Sequence, residues 1–132
     1  LDFQFSLYPC LGDVWSDHLL FTGDQLTGVI DFGGVRYDHP AQDLARLLGS
    51  TLQGNAPLRL QALSQYSPYS EELERLTILL DECGVVVSLA NWLRWMFLEA
   101  RLIPEPSRVT CRLEILVNRL SGSNHLFLLH QE

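Results

Sequence analysis

The sequence has no initiator methionine, no glycine-rich phosphate-binding motif and no unbroken apolar run of membrane-spanning length. The apolar segment 85–93 is interrupted by Ser88 and Asn91 and is closed by Arg94. Because a helix needs about 18 apolar residues to span a bilayer, we expect no membrane partner. Leu1 stands where an initiator Met is expected, and no basic leader follows it. This start predicts a fragment of a longer protein, without a signal peptide.

Paired cysteines and an excess of positive charge are also lacking. Cys10, Cys83 and Cys111 are odd in number and have no Cys-x-x-Cys spacing. This pattern predicts reduced thiols, buried or half-buried, in a cytoplasmic protein. The formal net charge of −7 argues against a nucleic-acid partner, because phosphates require a cationic face. The acidic balance fits either ordinary solubility charge or a cationic small-molecule substrate.

The chain is long and apolar enough to form one domain with a hydrophobic core. It has 132 residues, of which 47% are hydrophobic, so a disordered chain is excluded. Apolar spacing predicts five helices, at 41–48, 58–66, 67–83, 85–102 and 107–120. Gly49, Gly84 and Gly122 are interpreted as helix ends. Segment 85–102 is apolar on most sides, which predicts a central buried helix.

Two acids flank a predicted β-hairpin. Short apolar runs at 19–21 and 26–30 are separated by a Gly-Asp-Gln turn, which is typical of a hairpin. Asp13 precedes the first strand and Asp31 follows the second, so folding brings both acids to the same end of a small sheet. Phosphoryl transfer needs such a pair, one to orient and deprotonate a hydroxyl and one to hold a metal. Each acid taken singly is also ordinary turn chemistry.

Three segments of the sequence resemble a known family. They are residues 11–18 (LGDVWSDH), 30–33 (IDFG) and 39–45 (HPAQDLA). In order and spacing they are similar to the motifs of the aminoglycoside phosphotransferase and choline kinase family, distant relatives of the protein kinases. The family motifs read His-Gly-Asp, four residues and Asn; then Ile-Asp-Phe/Trp-Gly; then Asp-Pro-Ala-x-Asp-Leu-Ala. The resemblance is close over roughly residues 8–50.

The resemblance implies a fold. It is α+β and predominantly helical, the C-terminal lobe of a protein-kinase-like enzyme with a short catalytic β-hairpin. Residues 1–132 are then expected to form this single catalytic lobe. The N-terminal nucleotide-binding lobe, with its glycine-rich loop and phosphate-pairing lysine, is expected to lie upstream of the chain.

The resemblance also assigns roles to individual residues. Asp13 is the expected catalytic base, Asp31 the expected magnesium ligand, and Asp43 a structural acid that braces the catalytic loop. Two positions depart from the family pattern. Leu11 replaces the His that orients the catalytic segment, and His18 replaces the Asn whose amide oxygen binds a second metal.

The substitution at position 18 bears on the metal. A neutral imidazole is a metal ligand, so we expect His18 and Asp31 together to bind Mg²⁺ or Mn²⁺. Nitrogen suits Mn²⁺ or Zn²⁺ better than Mg²⁺, which prefers oxygen. We therefore expect weak metal binding in the absence of other ligands, with Mn²⁺ tolerated at least as well as Mg²⁺.

Other residues near these motifs allow two interpretations each. Trp15 fits either packing or stacking against a substrate, and Trp92 and Trp95, one helical turn apart, fit either the core or a stacking wall. Asp17 fits a turn acid or a substitute metal ligand.

The leading functional hypothesis is a small-molecule phosphotransferase, a kinase that transfers the γ-phosphate of ATP or GTP to a hydroxyl. The alternative is a non-catalytic, kinase-like binding or assembly module, in which the changes at Leu11 and His18 mark lost chemistry. We expect the isolated chain to be inactive and to associate with itself through apolar surface around Phe3, Phe5, Leu7 and Tyr8. The sequence specifies the phosphate acceptor only as a hydroxyl compound.

Overall fold

The computed structural model describes residues 6–101 and 105–128, with side chains described as far as residue 122. These residues form a predominantly helical α+β structure with two small two-stranded sheets. The chain divides into two compact units, Leu1–Asp81 and Glu82–Glu132. The expected α+β class is therefore confirmed.

Four short strands make up the two sheets. They are β1 (Tyr8–Cys10), β2 (Leu19–Thr22), β3 (Gln25–Val29) and β4 (Arg36–Asp38). Strands β2 and β3 pair antiparallel around a turn at Gly23, whose φ of 60° suits a residue without a Cβ. The predicted hairpin is confirmed.

Strand β4 lies between the second motif and the first helix, in a segment where the sequence analysis predicts no strand. It pairs antiparallel with β1, so that Cys10 lies opposite Arg36. The two strands are far apart in sequence, and no short-range pattern reveals such a pairing. A three-residue strand is also too short to show clear alternation.

Four α-helices follow the sheets. They are α1 (Ala41–Leu52), α2 (Ala56–Ser64), α3 (Glu71–Leu93) and α4 (Pro106–Leu128), with a π-helical turn at Arg94–Leu98 that continues α3. The predicted third and fourth helices are thus one continuous helical segment.

Glycine proved to be a poor predictor of the helix ends. Gly49, Gly84 and Gly122 all lie inside helices, because one glycine costs only about 1 kcal/mol in a helix interior and helix-forming neighbours carry the helix past it. The true end of α1 is at Gln53 and Gly54, which adopt positive φ angles of 48° and 90°. This left-handed conformation is a common helix stop.

The expectation of a central buried helix at 85–102 is wrong for the part that is described. In the most apolar window of Glu71–Leu98, only 17% of the residues are buried. This 28-residue segment also has the length and composition to cross a membrane, since the mean hydropathy of that window is 1.5. The expectation that no stretch reaches spanning length is therefore wrong, since two predicted helices form one. Core helices of soluble proteins meet the same criterion.

The first compact unit has a small core close to the predicted site. Its buried apolar residues are Cys10, Val14, Ala41, Ala45, Leu63 and Leu73. A buried ion pair, Arg59 Nη1 to Asp81 Oδ2 at 3.2 Å, ties α2 to α3. The core therefore anchors both β1 and the N-terminal part of α1, the elements on either side of the motif loops.

The cysteines follow the expectation in part. All three are free thiols, and burial raises the pKa of the Cys10 thiol. Cys83 and Cys111 are exposed rather than buried or half-buried, because both lie on outward faces of long helices.

Candidate functional site

Asp43 fastens the first motif loop to helix α1. It lies in the first turn of α1, and its Oδ2 accepts a hydrogen bond from the Leu11 N–H at 2.6 Å. Its Oδ1 accepts from the Gly12 N–H at 2.8 Å. Both bonds are charge-assisted, so one carboxylate satisfies two loop amides. The residue preceding Asp13 is thereby held on the helix that carries the third motif.

Two glycines allow the first and second motif loops to touch. Gly12 has a φ of 76°, and a Cβ there would overlap the carbonyl oxygen of Gly34. A Cβ on Gly34 would lie 2.9 Å from the Leu11 carbonyl oxygen and 3.2 Å from the Asp13 nitrogen. The close approach of these backbones requires glycine on both sides.

Asp13 forms an ion pair that the motifs did not indicate. Its Oδ1 is paired with Nη2 of Arg46, and both side chains are about half exposed, at 48% and 49%. Arg46 follows Asp43 by three residues, so both lie on one face of α1. This three-residue spacing was the sequence signal for the ion pair, because Arg46 lies one helical turn after Asp43 and reaches the same motif loop.

His18 connects the two predicted catalytic acids. Its Nδ1 lies 2.8 Å from the carbonyl oxygen of Asp13, and its Nε2 lies 3.8 Å from Oδ2 of Asp31. The Ile30 N–H also donates to the His18 carbonyl at 3.0 Å, beside the paired strands β2 and β3. The hairpin thus places Asp13 and Asp31 on either side of one imidazole.

Trp15 determines the tautomer of that imidazole. Its indole Nε1–H donates to His18 Nε2 at 2.8 Å, with the rings edge to face at 84°. An indole nitrogen is only a donor, so His18 Nε2 must be the accepting nitrogen. The proton therefore lies on Nδ1, which donates to the Asp13 carbonyl. Nε2 therefore already accepts a hydrogen bond, and its 3.8 Å separation from Asp31 Oδ2 is longer than a hydrogen bond.

Asp31 adopts a conformation that is unusual for a residue with a side chain. Its φ of 63° and ψ of 71° lie in the left-handed region, and its Oδ1 accepts from the Gly33 N–H at 3.4 Å. Asp and Asn reach this region more easily than other residues with a Cβ. Its side chain is 59% exposed, so a carboxylate is presented to solvent beside His18.

The donor set suits a metal that is shared with a ligand. No cluster of three or more His, Cys, Asp or Glu side chains able to hold a metal occurs among the described residues. Mg²⁺ typically binds one or two carboxylates together with water and substrate phosphates. Asp31 fits that mode, whereas a closed protein cage for the metal is not formed by this part of the chain. The tolerance of Mn²⁺ expected from His18 stays a prediction.

A second arginine lies beside the first loop. Arg36 Nη1 donates to the Gly12 carbonyl at 3.3 Å, and its Nε donates to Asp38 Oδ2 at 2.9 Å. The His39 N–H holds the pKa of Asp38 below its usual value, and Arg36 adds to this effect. Strand β4 thus supports the same loop that Asp43 braces.

The tryptophans of the second unit form a separate cluster. Trp92 and Trp95 meet edge to face at a centroid distance of 5.3 Å, and the Arg101 guanidinium lies 5.0 Å from the Trp95 ring centre. Both rings are half-buried, so neither belongs to a fully enclosed core.

Comparison with known protein families identifies the first unit. A model described as the phosphotransferase enzyme family matches residues 4–79, which is more than half of the chain. The matched segment contains Asp13, His18, Asp31 and Asp43. Comparison with curated proteins and with solved structures finds no match.

Proposed function

The chain belongs to the phosphotransferase enzyme family, and on that premise we propose that it carries the catalytic base and a metal ligand of a small-molecule phosphotransferase. Membership supports phosphotransfer in general. One observation carries the residue assignment: Asp13 and Asp31 lie on either side of His18, on loops that contact each other through Gly12 and Gly34.

Asp13 acts as the base in this proposal. Its carboxylate is half exposed, and Arg46 holds Oδ1. The acceptor hydroxyl is therefore bound and deprotonated by Oδ2. Asp43 and the His18 imidazole hold the backbone on both sides of this carboxylate, so its position is set before the substrate arrives. Such positioning supplies much of the catalysis in phosphoryl transfer.

Asp31 is the proposed ligand of Mg²⁺ or Mn²⁺, and His18 is the second candidate. The metal, when bound with the phosphates of ATP or GTP, neutralises their charge. Asp31 holds its side chain outward through its left-handed backbone. His18 contributes its nitrogen only if the hydrogen bond from Trp15 breaks.

The finer proposal is that residues 1–132 are the C-terminal lobe of a protein-kinase-like enzyme of the cytoplasm. The order of Asp13, Asp31 and Asp43 along the chain supports it. All nine basic residues are arginines, so a phosphate-pairing lysine is not among these residues. A nucleotide-binding lobe outside the chain is the proposed source of that lysine.

A non-catalytic binding or assembly module is the second candidate function. Two observations favour it: Leu11 stands at the position of the orienting histidine, and the free electron pair of His18 is already engaged by Trp15. Under this proposal the loops keep their structure and have lost turnover.

Phosphotransfer by the complete gene product distinguishes the two candidates. The assay follows transfer of the γ-phosphate of ATP and of GTP to aminoglycosides, to choline and to other hydroxyl compounds. Asp13→Asn is expected to lower kcat by about 100-fold or more, since a general base typically contributes that factor. Asp24→Asn, in the exposed hairpin turn, is the matched control and is expected to retain activity. Turnover that persists in Asp13→Asn overturns the assignment of the base, and no turnover with any acceptor favours the module.

A further inference from the structure

We propose that Trp15 sets the metal preference of this site by occupying the one nitrogen of His18 that faces Asp31. The inference rests on the proposed metal site at Asp31. It assigns to Trp15 a role in specificity that differs from both packing and substrate stacking.

The hydrogen bonds of His18 leave its imidazole without an available electron pair. Nδ1 carries the proton and donates to the Asp13 carbonyl at 2.8 Å. Nε2 carries the only in-plane electron pair, and it accepts the Trp15 N–H at 2.8 Å. A metal needs that electron pair, because a neutral histidine binds metals through its unprotonated nitrogen. Trp15 and a metal ion therefore compete for Nε2.

The position of Nε2 makes this competition relevant to the site. Nε2 lies 3.8 Å from Asp31 Oδ2, a separation that two ligands of one cation can have. The His18 side chain is only 13% exposed, whereas Asp31 is 59% exposed. A cation that arrives from solvent thus meets the carboxylate first and reaches nitrogen only by displacing the indole N–H.

The competition favours metals that bind oxygen. With Trp15 in place, the cation on Asp31 completes its coordination with water and phosphate oxygens, which suits Mg²⁺. If the indole N–H is removed, Nε2 becomes available and Mn²⁺ gains over Mg²⁺, since imidazole nitrogen adds little to Mg²⁺ binding. Trp15 thereby offsets the Mn²⁺ tolerance that the imidazole at position 18 would otherwise confer.

Metal titrations of the full chain test the proposal with Mn²⁺ and Mg²⁺ alone as probes. Free Mn²⁺ is counted by its paramagnetic resonance signal, and Mg²⁺ is measured by competition. Trp15→Phe keeps an aromatic ring and removes the indole N–H. It is expected to raise the Mn²⁺/Mg²⁺ affinity ratio about three- to tenfold, because this factor corresponds to the free energy of an ordinary hydrogen bond. Trp15→Phe combined with His18→Asn is expected to lose this gain. Trp92→Phe, another half-buried edge-to-face tryptophan, is the matched control and should leave the ratio unchanged.

The outcomes separate this inference from the proposed metal site. An unchanged ratio in Trp15→Phe, with Mn²⁺ binding still dependent on Asp31, overturns the role of Trp15 alone. Metal binding that is unchanged in Asp31→Asn overturns the metal site itself.

Nitrogen-15 spectra of the histidines provide a measurement without any variant at position 15. In the wild-type chain, His18 is expected to show a protonated Nδ1 and an unprotonated, hydrogen-bonded Nε2, with assignment by His18→Asn. A protonated Nε2 contradicts the proposed competition.

Discussion

Arg46 pairs with Oδ1 of Asp13, so in the proposed mechanism it acts on catalysis through the base. A guanidinium that fixes one carboxylate oxygen restricts the rotation of the side chain. The residue that orients this segment in the family is replaced by Leu11. We interpret Arg46 as a positioning residue that compensates for this change.

Arg46→Gln is expected to lower kcat by about 10-fold in the complete gene product, with the KM for nucleotide unchanged. The reason is that misplacement of a catalytic group reduces the rate of the chemical step more than binding. Steady-state kinetics with both substrates provide the measurement, and Arg46→Lys is expected to recover part of the loss. Arg75→Gln, an exposed arginine on α3, serves as the control. Equal losses in both glutamine variants would refute a positioning role.

Asp43 contributes to stability as well as to the site. Asp43→Asn replaces one accepting oxygen with an NH₂ group that faces a backbone N–H, so one charge-assisted bond is lost. The free energy of unfolding is expected to fall by about 2 kcal/mol. Urea unfolding measures this change, with Asp24→Asn as an exposed control that stays near wild type. A wild-type midpoint for Asp43→Asn would contradict the bracing role.

Asp38 makes the stability depend on acid pH. Because its pKa is lower in the folded chain than in the unfolded chain, its stabilising contribution is present above the unfolded pKa. That contribution is lost as the pH falls from the unfolded pKa through the folded pKa. Between neutral and acid pH, the free energy of unfolding is expected to fall less steeply in Asp38→Asn than in the wild type. Parallel curves for wild type and variant would contradict this expectation.

At the scale of elements, the sequence predicted those strands and helices that are determined by residues close together along the chain. The β2–β3 hairpin and helix α2 are short-range features, and both were found close to their expected positions. The β1–β4 pair and the Arg46 contact connect distant parts of the chain, and no local pattern shows them. The Trp15–His18 bond is local, but it needs the 3₁₀ turn at Ser16–His18, and the spacing alone did not indicate that turn. The sequence correctly placed Asp13 and Asp31 at one end of the hairpin, but it did not indicate the hydrogen-bond partners of either residue.

The two kinds of glycine in this chain predict opposite effects of the same substitution. Gly84→Ala is expected to stabilise the chain by about 0.5–1 kcal/mol, since a Cβ there meets nothing within 4 Å and alanine is the better helix former. Gly12→Ala is expected to destabilise it strongly, because φ is 76° and the Cβ would overlap Gly34. Thermal unfolding of both variants under one condition gives the comparison. A gain at Gly12 or a loss at Gly84 would refute the respective assignment.

At the scale of the whole molecule, large apolar side chains are exposed in both compact units. Examples are Leu7 at 58%, Phe32 at 58%, Val87 at 58%, Phe97 at 73% and Leu98 at 81%. Phe3 and Phe5, which were expected to contribute, lie outside the described residues. An exposed apolar surface of this kind favours association in water.

We predict that the isolated chain associates with itself and does not turn over ATP. Size-exclusion chromatography with light scattering measures the first property, and a metal-dependent ATP assay measures the second. Val87→Glu is expected to reduce association because it places charge in the exposed apolar surface of α3. A clean monomer would contradict the association, and ATP turnover that is lost in Asp13→Asn would contradict the inactivity.

The left-handed backbone of Asp31 restricts which substitutions evolution or an experimenter can make there. Glycine, asparagine and aspartate adopt this conformation readily, while other residues add strain of about 1 kcal/mol or more. The proposed metal site requires the carboxylate, so the backbone conformation and the proposed chemistry limit this position independently. An alanine at this position would combine lost chemistry with lost stability. Asparagine separates the two, and variants at position 31 should be compared with it.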